Sequence, residues 1–225
     1  MSQGQPPAGG MGGANTQSFD YTGSYTGALT ADGEEVRSDG SSVSATESDQ
    51  NALLAKGGGT LVVTDATVSK SGDDTNGDNC NFYGLNSIAL SVGNDSLLKI
   101  SNSKLSATSE GSNGVFSTDS ATTYVRDSSI TTSAGNSRGL DATYGGTILA
   151  DTLDISTQGD HSAGVATDRG GGNISLTNST IKTAGSGSPL LYSTGDIELN
   201  NVTGSSSGSQ IAGMEGLNKI GRAHV

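Results

Sequence analysis

The sequence predicts an all-β fold, a right-handed parallel β-helix of about 25 residues per coil, and three observations carry that reading. Serines recur at near-constant spacing, aliphatic residues fall in register behind them, and glycine clusters return at one point of the repeat.

The serines come first. Ser87, Ser112, Ser137, Ser162, Ser188 and Ser209 stand 25, 25, 25, 26 and 21 residues apart. Gln50 takes the same slot 37 residues before Ser87, which gives that coil a 12-residue insertion, over 69–86. Four apolar columns follow from these anchors. The first holds Leu53, Leu90, Val115, Leu140, Val165, Leu191 and Ala212; the second holds Leu61, Leu98, Thr123, Ile148 and Ile174. Val63, Ile100, Val125, Ala150 and Leu176 make the third, and Val68, Leu105, Ile130, Ile155 and Ile181 the fourth. Each column sits in a short alternating segment bounded by Gly, Ser, Asn and Asp, the pattern of a strand between turns. A period this short leaves no room for the helix of a βαβ unit, which needs roughly 30 residues or more. Stacked at the strand spacing, about seven coils make a rod on the order of 30 Å long. Leu140, Ile148 and Ile155 are expected to point inward and lie on Val115, Thr123 and Ile130 of the preceding coil.

The glycines Gly57–Gly59, Gly145–Gly146 and Gly170–Gly172 mark one turn where positive φ is expected. A polar column, Asp65, Asn102, Asp127, Thr152 and Asn178, marks a second turn, since Asn and Asp tolerate left-handed geometry and bond to local backbone. Stacked on successive coils, these side chains offer a hydrogen-bonded ladder.

Composition alone leaves two readings. Leu, Ile, Val and Phe make up only 41 of 225 residues, a level near that of disordered chains, while 35 glycines suit short strands and tight turns. Four aliphatic columns held in register decide for the solenoid. The net charge of −12 argues against nucleic acid, whose phosphates demand clustered Lys and Arg, and against anionic lipid. No apolar run reaches the length of a membrane span. Cys80, the single cysteine, has no internal disulfide partner and reads as a small packed residue.

Both ends look foreign to the repeat. Ile220–Val225 is what ATC GGA AGA GCA CAC GTC encodes, a stretch of a common sequencing adapter whose preceding bases complete the Lys219 codon. Residues 219–225 are therefore set aside. Residues 1–28 read as a Gly/Pro/Ser-rich linker without the apolar core of a signal peptide. With the far end clipped, the near end is expected to be clipped too, with an export signal upstream. Residues 29–218 are the β-helix, expected to be interrupted at its last coil, with Ile211 and Met214 lacking a next rung.

From Asn51 to Asn218, through runs such as Gly159–Asn173 and Gly185–Gly195, the chain resembles the β-helix passengers of bacterial adhesins, in the style of pertactin-like surface proteins. It is more closely similar to the large adhesin-like β-helix proteins of gut bacteria. The resemblance implies an exported, surface-attached, non-enzymatic stalk or adhesive module. Its partners would be glycans or host-surface proteins, and its full-length form a monomeric rod. The alternative is a carbohydrate-active enzyme of the same fold, a polysaccharide lyase or glycosidase.

Within the insertion, Asp73, Asp74, Asn76 and Asp78 are hard oxygen ligands close in sequence, the chemistry of Ca²⁺, although their spacing is not that of an EF-hand. The other reading is a solvated loop with Phe82 and Tyr83 tucked against the coil. Asp160-His161 and Asp168-Arg169 are neighbours on turns, where side chains usually point apart. Arg126, Arg138 and Arg169 invite comparison with β-helix lyases, but the sequence suggests no Asp cluster on neighbouring coils to accompany them. Tyr124, Tyr144 and Tyr192 are candidates for sugar stacking, against ordinary packing. Pairs such as Thr131-Thr132 fall short of the regular Thr array that ice binding requires.

Overall fold

A computed structural model describes residues 16–214. The chain winds into about eight stacked turns of a right-handed parallel β-helix. Its strands are β1 (Gly27–Asp32), β2 (Glu35–Asp39), β3 (Ser42–Ala45), β4 (Asn51–Lys56), β5 (Thr60–Thr64) and β6 (Thr67–Lys70). After a short helix, α1 (Gly77–Tyr83), come β7 (Ala89–Val92), β8 (Leu97–Ser101), β9 (Lys104–Ala107), β10 (Val115–Thr118) and β11 (Thr122–Thr132). The later coils repeat a short and a long strand: β12 (Leu140–Ala142) and β13 (Thr147–Thr157), then β14 (Val165–Thr167) and β15 (Asn173–Thr183). β16 (Leu191–Ser193), β17 (Asp196–Ser206) and β18 (Ala212–Met214) follow. An eight-stranded sheet runs β1-β4-β7-β10-β12-β14-β16-β18, and all its pairs are parallel. The second sheet has ten strands and folds over a corner, so the rod has three faces. No helix among the described residues is long and apolar enough to cross a membrane.

The long strands show how sequence makes the corner. In β11, Thr123 and Val125 point inward, then Arg126 and Asp127 are exposed in succession, and Ser128, Ile130 and Thr132 resume the inward side. A flat strand would turn the second half inside out. Asp127 prevents this by adopting φ 50°, and Asp65, Asn102, Thr152, Asn178 and Asn201 do the same at φ 52°, 50°, 55°, 49° and 54°. The polar column is thus the bend itself. Its expected ladder is sparse: Asn201 donates to Asn178 at 2.8 Å, but Asn178 turns to Asp151 at 2.9 Å.

The continuous ladder lies at the anchor serines. Ser112, Ser137 and Ser162 each donate a backbone N–H to the Oγ of the next anchor, Ser137, Ser162 and Ser188, at 2.9 Å. Thr132, Thr157 and Thr183 hydroxyls close the same corner by donating to the carbonyls of Ser137, Ser162 and Ser188. All four serines are fully buried. A serine fits here because one hydroxyl can accept from the coil on one side and donate back to its own turn, as Ser137 does to Gly135 O at 2.8 Å. Ser162→Ala leaves the Ser137 N–H buried without an acceptor, and a loss of about 1–3 kcal/mol is expected from denaturant midpoints. An unchanged midpoint would mean that water replaces the hydroxyl.

The interior columns hold as expected. Val115 pairs with Leu140, Thr123 with Ile148 and Ile130 with Ile155, and these side chains are buried. One register is corrected. Ala89, not Leu90, pairs with Leu53 and Val115, so Leu90 points outward. The anchor of that coil is Asn86, whose Nδ2 donates to Ser112 Oγ at 3.0 Å, rather than Ser87. The insertion is therefore one residue shorter than the serine count implies. An additional coil, β1 to β3, precedes the first anchored one, and its inward Val36 and Val43 extend two columns. At the glycine turn, a Cβ on Gly146 would sit 2.1 Å from Ser117 O, so no other residue fits between those coils.

Residues 16–26, within the segment read as a linker, lie lengthwise on the eight-stranded sheet. A Cβ on Gly170 would meet Gln17 O at 2.8 Å, and from that level the strap runs back to β1. Phe19 meets the rings of Tyr83 and Tyr144 edge-on at 5.6 and 5.5 Å, and Tyr25 donates to Tyr83 O at 2.9 Å. Residues 219–225 lie outside the described residues.

Candidate functional site

Two surfaces carry chemistry, one covered and one open. The covered surface is the outer side of the eight-stranded sheet. Its outward column reads Leu54, Leu90, Phe116, Asp141, Ala166. Leu54, Leu90, Val92 and Phe116 form a second small core, closed by Phe19 and Tyr25 of the strap. α1 sits over the middle of this face. Asn76 caps its N-terminus by accepting from the N–H groups of Asp78 and Asn79, and Gly84 ends it at φ 77°.

Beneath α1 lies a charged cluster that corrects the expectation of no Asp neighbours for the arginines. Arg138 stands 3.4 Å from Asp141 and 3.6 Å from Asp168, carboxylates of adjacent coils, and donates to Asn81 Oδ1 on α1 at 2.7 Å. Arg169 lies over the Phe82 ring, 3.5 Å from its centroid, and 4.0 Å from Asp78. Thr143 donates to Phe82 O at 2.8 Å. Asp141 is fully buried, and neither carboxyl oxygen has a hydrogen-bond partner. Burial pushes its pKa up to about 8, against the pull of Arg138 and with the Asp168 charge adding to the rise.

This shift has a sign. The folded state holds the Asp141 proton over a range where the unfolded chain, titrating near 3.9, has released it. The contribution to stability is complete below about pH 4 and is lost as pH rises through about 8. Stability is expected to fall across that window by up to about 1.4 kcal/mol per pH unit, and Asp141→Asn should flatten the slope. Denaturant unfolding at a series of pH values checks it; an equal slope in the variant would remove Asp141 as the cause.

The four expected calcium ligands have separate employments. Asp73 accepts from Glu110 N–H at 2.9 Å, Asn76 caps α1, and Asp78 faces Arg169. Asp74 has its pKa raised, chiefly by burial, with Cys80 bonding to it in opposition. Among the described residues, no group of three or more His, Cys, Asp or Glu side chains is placed to hold a metal ion. Cys80 is buried, donates to Gly77 O at 3.1 Å, and has its thiol pKa raised by burial. Asp160 accepts from Ser186 N–H at 2.7 Å while His161 is exposed at φ 54°, so the pair forms a turn.

The three tyrosines separate. Tyr144 is buried and stacked on Tyr83 at 5.5 Å, Tyr192 is half-buried on the outer side of β16, and Tyr124 stands 46% exposed on the ten-stranded sheet. There Tyr124 and Leu149, 38% exposed, are neighbours on adjacent rungs. They floor a shallow depression of about 300 Å³, walled by Arg126, Asp151, Ser175 and Thr177. Asp151 Oδ1 accepts from Thr177 at 2.7 Å and Asn178 at 2.9 Å, and these bonds hold its carboxyl below the usual range. A second depression, about 450 Å³, is lined by polar residues of the other face, among them Ser156, Lys182 and Ser205.

Sequence reasoning missed α1, Asp141 and Lys70. Lys70 points into the core, donates to Glu47 O at 3.0 Å and to Gly72 O, and has its pKa lowered by burial to about 8 despite nearby Asp73. The covered face did have a signal. β4, β7 and β10 are apolar on consecutive residues, as strands buried on both sides are. Compared with protein-family models, curated proteins and solved structures, the chain matches none.

Proposed function

We propose that this chain is part of a non-enzymatic β-helical stalk or adhesive module, working at a cell surface or outside the cell and binding glycan or host surfaces. The observation that supports this best is the division of the rod's faces. One face is closed by α1 and the strap, while the ten-stranded sheet leaves Tyr124 and Leu149 open in a shallow, mostly polar strip. Shallow depressions on flat sheets suit adhesion to an extended surface. The alternative, a carbohydrate-active enzyme, draws on one observation: the raised pKa of Asp141 beside Arg138, a pairing that could serve acid–base chemistry. That pair is enclosed beneath α1, out of reach of a polysaccharide.

The test exposes the chain to immobilised glycans and to host cells while following the reducing ends of soluble polysaccharides. Retention without product is the expected result. Turnover by the parent chain would overturn it in favour of the enzyme, and its loss or persistence in Asp141→Asn would then tell whether the enclosed pair is involved.

A further inference from the structure

The open strip carries more information than a generic adhesive face. Its central outward column runs Arg37, Val62, Lys99, Tyr124, Leu149, Ser175, Glu198, one residue per rung along the rod axis. The neighbouring outward column runs Asp39, Thr64, Ser101, Arg126, Asp151, Thr177, Asn200. The floor is thus one ring and one aliphatic side chain on adjacent rungs, about 4.8 Å apart. The wall alternates donors and acceptors: Arg126, then Asp151 held by Thr177 and Asn178. Charges around the floor cancel. Lys99 and Arg126 are matched by Asp127, 3.0 Å from Arg126, and by Asp151, the rung partner of Arg126. A carboxylated or sulfated ligand finds no net positive field here, on a chain whose net charge is −12.

We infer that this strip binds a neutral, equatorially linked glycan lying lengthwise along the rod, with successive sugar rings over Tyr124 and Leu149 and their hydroxyl edge on Arg126, Asp151 and Thr177. The inference rests on the adhesive-module reading and gives its ligand a chemical class. Pyranose rings in equatorial linkage form an extended ribbon with carbon–hydrogen faces available on consecutive units, which the adjacent Tyr124 and Leu149 side chains match for two of those units. Exposed aromatic rings take such faces, and paired donors and acceptors satisfy vicinal hydroxyls. The depression's 300 Å³ is at the small end for a ligand site, as a groove open to solvent along its length should be.

The experiment is calorimetric titration of the whole chain with cellobiose, cellotetraose, maltotetraose and a galacturonate tetramer, at low and high salt. Cellotetraose should bind most tightly, more tightly than cellobiose and with little salt dependence. Tyr124→Ala should weaken it about tenfold, the loss of one good ring contact. Leu149→Ser should weaken cellobiose and cellotetraose alike, because two successive rings already cover Tyr124 and Leu149. Both substitutions are on the exposed surface, so circular dichroism melts should match the parent and separate binding loss from misfolding. Tighter binding of galacturonate that weakens with salt, equal binding of maltotetraose, or indifference to Tyr124→Ala overturns the inference. The first two outcomes leave the adhesive module standing with another ligand. Absence of saccharide binding together with absence of retention on host cells overturns both.

Discussion

Ile155→Asp is expected to unfold several coils together. Ile155 has no exposed surface, lies between Ile130 and Ile181 in the fourth interior column, and touches the turn of its own coil so closely that a Cβ on Gly139 would sit 2.4 Å from its Cγ2. A carboxylate there has neither water nor a cation, and a neutral carboxyl still lacks acceptors. The cost is several kcal/mol, from unpaired polar burial and lost apolar contact. Because each rung rests on the next, the loss propagates: hydrogen exchange should accelerate in β11, β13 and β15 together. A denaturant midpoint close to the parent's, with protection kept in those strands, would place Ile155 outside the core and invalidate the register.

Arg138→Met is expected to cost about 3–5 kcal/mol, since it removes the cation set between two buried carboxyls. Met keeps the length and apolar stem of the side chain, so the loss is read as charge and hydrogen bonding rather than volume. The double variant Arg138→Met, Asp168→Leu should regain much of the stability below about pH 8, because Asp141 holds its proton there and Asp168 is the charge that Arg138 compensates. Amide exchange in α1 should quicken in the single variant, since Arg138 also ties Asn81 to the sheet. A cost below about 1 kcal/mol would mean that the cluster behaves as an exposed ion pair.

These two sites differ in how far the sequence discloses them. Ile155 is legible because its neighbours stand one coil away at nearly invariant spacing, and a column of Val, Leu and Ile has no other use in a chain so poor in apolar residues. Leu90 is misplaced by the same counting, because α1 lengthens one coil by an amount the serines do not measure: Ser87 imitates an anchor while Asn86 performs the role. The Arg138 cluster is hidden because its partners come from three places, a residue three positions on, a turn in the next coil, and a helix inserted far upstream. Spacing reports what stacks within the repeat; it is silent about what the insertion folds back to cover. Tyr124 was visible as a residue type, but its exposure depended on knowing which sheet it faces.

Stacking every strand in parallel means that the backbone hydrogen bonds run along the rod, so tension applied to its two ends loads the coil interfaces in series and the weakest one sets the breaking force. The strap alters that mechanics. Lying lengthwise from the level of Gly170 to β1, with Phe19, Tyr21 and Tyr25 packed among Tyr83 and Tyr144, it carries part of the load in parallel with the rungs it crosses. Residues 16–26 are in this sense a splint, and cutting them away converts a reinforced rod into one that peels rung by rung from β1.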